Sequence, residues 1–376
     1  MTLVESIFKT NAKEKAIIQP KYIIFADNLT LDTVNKLESI DSLEAPERVV
    51  VMVYYDAPAG NFISAEIQKK LINFAHKHEL KFLQGHGIGY HNLLNEGIEK
   101  GDIIVSCGYH NSIFGAEGAA GIHLEPEVLL ETVKTGEVAI ETPETIHIEL
   151  TGKLNKGASV KDIAIKFLQA EESKYKGRAI EFVGESLKEL SAKQKQDLCQ
   201  LAGRSGAVCA LTNNDYTGEA DETIDLSKAE VMIALPGSIH TSDSIESLEG
   251  TKLCACFIGG CTGGSIEDLR TAAEILKGKK IPTNLRLTVA PQTNEVFSQA
   301  IAEGLLDIFI DCGAQILNAG CGTCRTTSKG VIGDGETMLS SAPWNYEGCN
   351  GTKESKVYLA SVETVAISAL NGYIHN

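Results

Sequence analysis

Three cysteines stand in two glycine-rich stretches in the last third of the chain, Gly259-Gly260-Cys261-Thr262-Gly263-Gly264 and Gly320-Cys321-Gly322-Thr323-Cys324. A cysteine packed inside a helix or strand needs no glycine beside it. A cysteine that brings backbone close to an inorganic cluster does, because glycine has no Cβ to clash and accepts positive φ. Thiolates are the usual ligands of iron–sulfur clusters. Three ligands in place of four would leave one iron open to a substrate.

A second stretch with chemical potential, residues 85–121, is rich in Gly and His. Within it, Cys107-Gly108-Tyr109-His110-Asn111 directly follows an apolar run expected to be a strand. Loops at the carboxyl ends of strands form the ligand sites of open α/β sheets, so His110 is a candidate site residue. His86 and His91 read more simply as loop histidines bonded to backbone. Cys107 and His110 have no second pair at zinc-ligand spacing.

The elements that must position these residues alternate. Tyr22-Ile23-Ile24-Phe25-Ala26 and Val49-Val50-Val51-Met52-Val53 read as strands, the second a β-branched run buried on both faces. Residues 64–78 carry a helical period, with Ile67, Leu71 and Phe74 on one face and Ser64 as the expected N-cap. Residues 145–150 alternate as a strand, residues 160–168 and 192–205 read as helices, and residues 229–237 read as a strand closing on a turn. Cys261 is expected just past a strand over 252–258 and just before a helix headed by Ser265, with Asp268 completing a capping box. Residues 285–289 and 308–310 read as strands and 293–303 as a helix. Strand–helix alternation predicts an α/β fold with mostly parallel strands. The boundaries fall at 1–125 (the Gly/His-rich loops), 126–248, and 249–376 (the cysteine loops).

Bulk composition removes several classes of function. Thirty-four basic against fifty acidic residues give a net charge of −16, which argues against nucleic acid or an anionic membrane as partner. No apolar run approaches the length of a membrane helix. Residues 1–16 read as a short amphipathic helix with lysines and not as a secretory signal. Ten cysteines in such a chain point to reduced thiols and a cytoplasmic protein. Cys199, Cys209 and Cys254 lie in apolar runs and read as buried structural thiols.

The cysteine stretches, and much of the remaining chain, resemble the aconitase superfamily, and within it the large subunit of 3-isopropylmalate dehydratase and homoaconitase. Phe257-Ile258-Gly259-Gly260-Cys261-Thr262-Gly263-Gly264-Ser265-Ile266-Glu267-Asp268-Leu269-Arg270 is similar to the family's Ser-Cys-Thr-Asn-Gly stretch and the helix after it. Gly320-Cys321-Gly322-Thr323-Cys324 is similar to its Gly-Cys-x-x-Cys. The likeness also covers Gln68-Lys69-Lys70, residues 149–154 and 180–185, and Asn345-Tyr346-Glu347-Gly348. It implies three α/β/α domains around a central [4Fe-4S] cluster held by Cys261, Cys321 and Cys324. It also implies an open fourth iron acting as Lewis acid on a small-molecule substrate. In two-subunit members a mobile fourth domain carrying the base is a separate small protein. This chain ends at Asn376, where the three-domain part would end, so it resembles a large subunit that needs a small swivel subunit as partner, or one that manages without.

The departures from the family pattern shape the expected chemistry. Tyr54-Tyr55 stand where the family has Asp-His, Tyr90 takes a histidine's place with His91 one position on, and Gly108-Tyr109-His110 replaces Asp-Ser-His. Where family arginines grip substrate carboxylates, this chain has Pro343-Trp344-Asn345-Tyr346-Glu347-Gly348-Cys349. A lost arginine removes a bidentate clamp that neither Trp nor Cys can mimic. The expected catalytic residues are then His110, Tyr109, Tyr55 and Tyr90, and the expected substrate contacts are Arg325, His91, Asn345 and Cys349. The expected reaction is that of a hydro-lyase or isomerase acting on a hydroxy acid, or a thiol analogue, less charged than citrate or isopropylmalate. The alternative is a non-catalytic or regulatory iron–sulfur subunit, with Cys349 capping the fourth iron.

Overall fold

The computed structural model describes every residue of the chain except 170, 171, 326 and 327. Val49–Val53 is buried at every position. It pairs in parallel with Tyr22–Ala26 on one side and Lys81–Gln84 on the other. Ile103–Ser106 and Ala120–His123 extend this sheet, again in parallel, to five strands. A second, four-stranded parallel sheet sets Thr145–Thr151 between Ala179–Val183 and Glu222–Asp225, with Cys209–Thr212 at one edge. The third sheet has seven strands. At its centre Ala255–Gly259 lies in parallel between Arg286–Ala290 and Thr337–Ser340. Gln315–Ile316 and Lys356–Leu359 flank these, and Met232–Ala234 and Ser242–Ser244 join antiparallel at one edge.

The helix that follows Ala255–Gly259 starts where the sequence places it. Ser265 accepts from the Asp268 amide, and Asp268 reaches back to the Ser265 amide, a complete capping box ahead of Ile266–Leu276. Other local expectations shift. Phe62–Lys77 is capped by Asn61, and Ser64 sits one turn inside. The N-terminal helix is only Leu3–Phe8, after which Lys15–Ile18 pairs antiparallel with Val138–Glu141. Residues 308–310 are not a strand but part of the helix Leu305–Cys312. Leu305, Phe309 and Cys312 are buried a turn apart there while Ile310 is 58% exposed, a helical and not an alternating pattern. Cys199 and Cys209 are buried as expected, and Cys254 is only partly so.

One buried apolar cluster is continuous across all three large sheets, including Met52 from the first, Phe182 from the second and Phe257 from the third. The Gly-rich stretch contributes to this by letting backbones touch. A Cβ on Gly115 would lie 1.8 Å from the Ala210 carbonyl oxygen, in the second sheet. At the other junction the Ile88 amide donates to the Gln292 carbonyl at 2.8 Å, and the Asn294 amide donates to that of His86 at 3.1 Å.

Gly115→Ala is therefore expected to cost about 3 kcal/mol in urea unfolding, because the obstacle is backbone and cannot rotate away. Gly97→Ala, at φ +80° but with open space around the new methyl, is expected to cost about 1 kcal/mol.

Candidate functional site

Loops leaving the carboxyl ends of parallel strands in the first and third sheets enclose a cavity of about 340 Å³. From the first sheet come Asn28, Tyr55, Cys107, Tyr109 and His110; from the third come Gly260, Cys261, Cys321, Cys324, Arg325, Trp344 and Tyr346. Among the described residues lining it there is no carboxylate.

Each loop is pinned from behind. The carboxylate of Asp27, buried at the end of Tyr22–Ala26, accepts the amides of Tyr54, Tyr55 and Asp56 at 3.0, 2.9 and 3.2 Å, and Gln68 Nε2 at 3.1 Å. Four donors on one carboxylate fix the turn that aims Tyr55 at the cavity. Burial raises the Asp27 pKa, and the backbone donors oppose that rise. Behind Cys261, the His91 Nε2 lies 3.1 Å from the Cys261 carbonyl oxygen. Burial pulls the His91 imidazole down to about 4, so the ring is neutral at pH 7 and Nε2 carries its proton as donor. Lys161, buried and pushed down to about 8 by desolvation, donates to Thr262 Oγ1 at 3.2 Å and to the Ser341 carbonyl. Lys193 pairs with Asp197 at 2.5 Å and Asp268 at 2.8 Å, tying the same helix start to its neighbour.

The Cys321–Cys324 turn closes on a hydrogen bond from the Cys324 amide to the Cys321 carbonyl at 3.3 Å. Gly322 inside it has φ +60°, and a Cβ there would lie 2.4 Å from Phe257 Cζ. Only glycine meets both conditions, which accounts for the residue between the two cysteines.

The three thiols share one problem. Burial raises the pKa of each, that of Cys324 to about 12, and a neighbouring cysteine raises each further. Alone they stay protonated; a positively charged group among them would make all three thiolates. Among the described residues no three His, Cys, Asp or Glu side chains are arranged to hold a lone metal ion. An iron–sulfur cluster asks for something else, one thiolate on each of several irons, with the ligands farther apart. Three thiols around a 340 Å³ cavity, with a glycine cradle and no competing carboxylate, fit that group.

His110 is 7% exposed and held at both nitrogens. Trp344 Nε1–H donates to its Nε2 at 3.2 Å. An indole nitrogen can only donate, so the proton of the neutral ring is on Nδ1. That nitrogen lies 2.8 Å from the Gln200 side-chain amide, whose otherwise unpartnered oxygen must then face the ring to accept, and 3.8 Å from the Cys261 sulfur. Burial, with help from Arg204, pulls the imidazole down to about 3. Tyr55 lines the cavity, its phenol raised well above the usual range by burial. Tyr109 is 54% exposed at the mouth and stacks on His123, centroids 4.1 Å apart.

Four residues singled out from the sequence are not among those lining the cavity. Tyr90 is buried behind the wall, its hydroxyl 2.7 Å from Ser106 Oγ. His91 supports the Cys261 turn. Asn345 donates to the Leu235 carbonyl at 2.6 Å. Cys349 is buried and donates to the Trp344 carbonyl at 3.7 Å.

Arg325 does line the cavity, its guanidinium carbon 5.1 Å from the Tyr55 ring centroid. The sequence reading missed a second arginine. Arg204 lies 4.0 Å from the Trp344 ring centroid, in an adjoining pocket of about 580 Å³ that shares Tyr109, Trp344 and Tyr346 with the first. Nothing around Arg204 in the sequence distinguishes it from a surface arginine at a helix end. Its importance comes from Trp344, which is remote in the chain.

The profile of the aconitase family (aconitate hydratase) matches residues 56–220 and 219–372, and the chain belongs to that family. It is 31% identical to the methanogen homoaconitase large subunit of Methanocaldococcus jannaschii, over 100% of this chain and 99% of that protein. It is 30% identical to the 3-isopropylmalate dehydratase large subunit of Pyrococcus horikoshii, over 100% and 98% respectively. Among solved structures, the holo-form of Thermococcus kodakaraensis aconitase X superposes with a TM-score of 0.58 at 13% identity, over 94% of this chain and 90% of that one, a likeness of fold. Family membership agrees with the expectation from the cysteine stretches, and so does the α/β architecture.

Anaerobic reconstitution with iron and sulfide is expected to give visible absorbance in the wild type. Cys261→Ser, Cys321→Ser and Cys324→Ser should each lose most of it. Cys107→Ser and Cys349→Ser should keep it, Cys349 because its thiol is turned to a backbone carbonyl.

Proposed function

We propose that the protein is a hydro-lyase of the aconitase type. It would add water to or remove it from a small hydroxy acid, at a [4Fe-4S] cluster held by Cys261, Cys321 and Cys324. The observation that carries this reading is the convergence of those three thiols, all from loops of the third sheet, on one cavity that Cys107 lines from the first. When bound, the cluster would supply Lewis acidity at the iron lacking a protein ligand, which polarises a hydroxyl for departure as water.

The chain's own residues do the rest. Tyr55, its phenol kept protonated by burial, is a hydrogen-bond donor on the cavity wall. His110 holds its proton at Nδ1 toward the Cys261 sulfur and is a ligand-orienting donor, not a free base, since Trp344 occupies Nε2. Arg325 is the cavity's one cation among the described lining residues and suits a substrate carboxylate. Among the described lining residues no carboxylate or free histidine is left to abstract a proton from carbon. That favours a base supplied by a second polypeptide, and the relatives' description as large subunits supports such a partner. No helix among the described residues is long and apolar enough to cross a membrane, in keeping with a substrate met in water.

The test is electron paramagnetic resonance of the reconstituted protein under mild oxidation. A three-iron signal, abolished by re-adding iron, is expected for a labile fourth iron. A cluster that stays four-iron would sink the hydro-lyase reading and favour the non-catalytic subunit, with a protein group on every iron.

A further inference from the structure

The chain has six arginines. Arg48, Arg270 and Arg286 are each paired with a glutamate. Arg204 and Arg325 are in no ion pair among the described residues, although fifty acidic side chains are available in the chain. Each has a buried Nη1 with no hydrogen-bond partner among those residues. Each rests on a ring, Arg204 4.0 Å from the Trp344 centroid and Arg325 5.1 Å from that of Tyr55, so its plane is held without a carboxylate. A buried cation with no counter-ion is costly, and something negative must answer it.

The negative groups in reach are sulfur. Burial pulls the Arg204 guanidinium down to about 10, and ionised Cys324, Cys261 and Cys349 act against that fall, in that order. In the other direction, burial lifts the Cys324 and Cys321 thiols; Arg204 and Arg325 both oppose the rise of Cys324, and Arg325 that of Cys321. Arg325 lines the same cavity as the three thiols. Arg204 lies against Trp344, whose indole N–H bonds the ring of His110, itself 3.8 Å from the Cys261 sulfur. Lys161, a third cation acting on Cys324, is engaged by Thr262 and the Ser341 carbonyl. Asp27 and Asp197, the carboxylates that act on these thiols, are answered by backbone amides and by Lys193.

We propose that Arg204 and Arg325 are the counter-charges of the [4Fe-4S] cluster that Cys261, Cys321 and Cys324 would hold, and that they raise its reduction potential. Three thiolates more than cancel the charge of an oxidised four-iron core, so the loaded site is anionic, and an added electron makes it more so. Two fixed cations that no carboxylate answers favour that added charge, and net charge near the sulfurs is one of the levers by which a protein sets a cluster's potential. The inference rests on the cluster of the hydro-lyase reading but on neither its substrate nor its turnover, and it needs no ligand on either arginine.

The test is a dye-mediated titration of the reconstituted full-length protein with dithionite as electron donor at pH 6.5, followed by electron paramagnetic resonance of the reduced cluster. At the solution potential that half-reduces the wild type, the ratio of reduced to oxidised cluster in Arg204→Gln is expected to be roughly tenfold lower, a shift of about 59 mV for a one-electron couple. That is the scale on which a unit charge acts across about 10 Å of protein. Arg325→Gln should shift in the same direction. Arg204→Lys, which keeps the charge and loses the planar fork, should recover most of the wild-type potential. Arg286→Gln, which leaves only Glu336 without its partner, should not move it. Visible absorbance recorded on each variant gives cluster content, so that potentials are compared per loaded molecule. Unchanged or raised potentials in both Gln variants, or an Arg204→Lys variant indistinguishable from Arg204→Gln, overturn the counter-charge role and leave the hydro-lyase reading standing. A cluster that resists mild oxidation but still shifts its potential in the Gln variants keeps the counter-charges and loses the hydro-lyase. Failure of the wild type to hold a cluster overturns both.

Discussion

The constraint on which the rest of the structure depends is electrostatic. Three thiols are buried around one cavity where none ionises alone, and a neighbouring cysteine raises each further. Such a trio is useless unless a positively charged group draws the protons off, and it is costly to assemble. The surroundings reflect both facts. Carboxylates are kept off the cavity wall in a chain of net charge −16, and the guanidinium groups of Arg204 and Arg325, with the Lys161 ammonium, act to lower the Cys324 thiol. The acidic members of the buried Lys193–Asp197–Asp268 network are bridged by Lys193, behind the Cys261 turn.

Rigidity around the thiols comes from polar groups that never reach the cavity. Asp27 gathers three consecutive amides, His91 holds one carbonyl, and Lys161 holds another. These are buried groups hydrogen-bonded to the loops they hold, the arrangement that fixes a loop to one conformation. Removing a member leaves an orphaned group in low dielectric. The cost therefore falls on loop geometry even when the side chain removed is far from any ligand.

How much of this was legible in the sequence depended on distance along the chain. Ser265 and Asp268 are three residues apart, so their capping box could be read directly, and with it the position of Cys261 between strand and helix. The glycine at 322 was also legible, as a residue that lets cysteines crowd. The helix Leu305–Cys312 was missed because three adjacent apolar residues, 308 to 310, mask the turn-by-turn burial of Leu305, Phe309 and Cys312. His91, Tyr90, Asn345 and Cys349 looked like site residues by position. Their side chains are spent on Cys261, Ser106, Leu235 and Trp344, partners that no local pattern announces. Arg204 was invisible for the same reason in reverse.

The thiols and the residues facing them have separate origins. All three cysteines hang from the third sheet, while Tyr55, Tyr109 and His110 hang from the first. Between the two lies a close backbone contact at the Ile88–Gln292 bond. The thiols and the side chains that face them therefore belong to separately built walls. Drift in the loops after Val49–Val53 and Ile103–Ser106 can reshape what is admitted without disturbing the thiols.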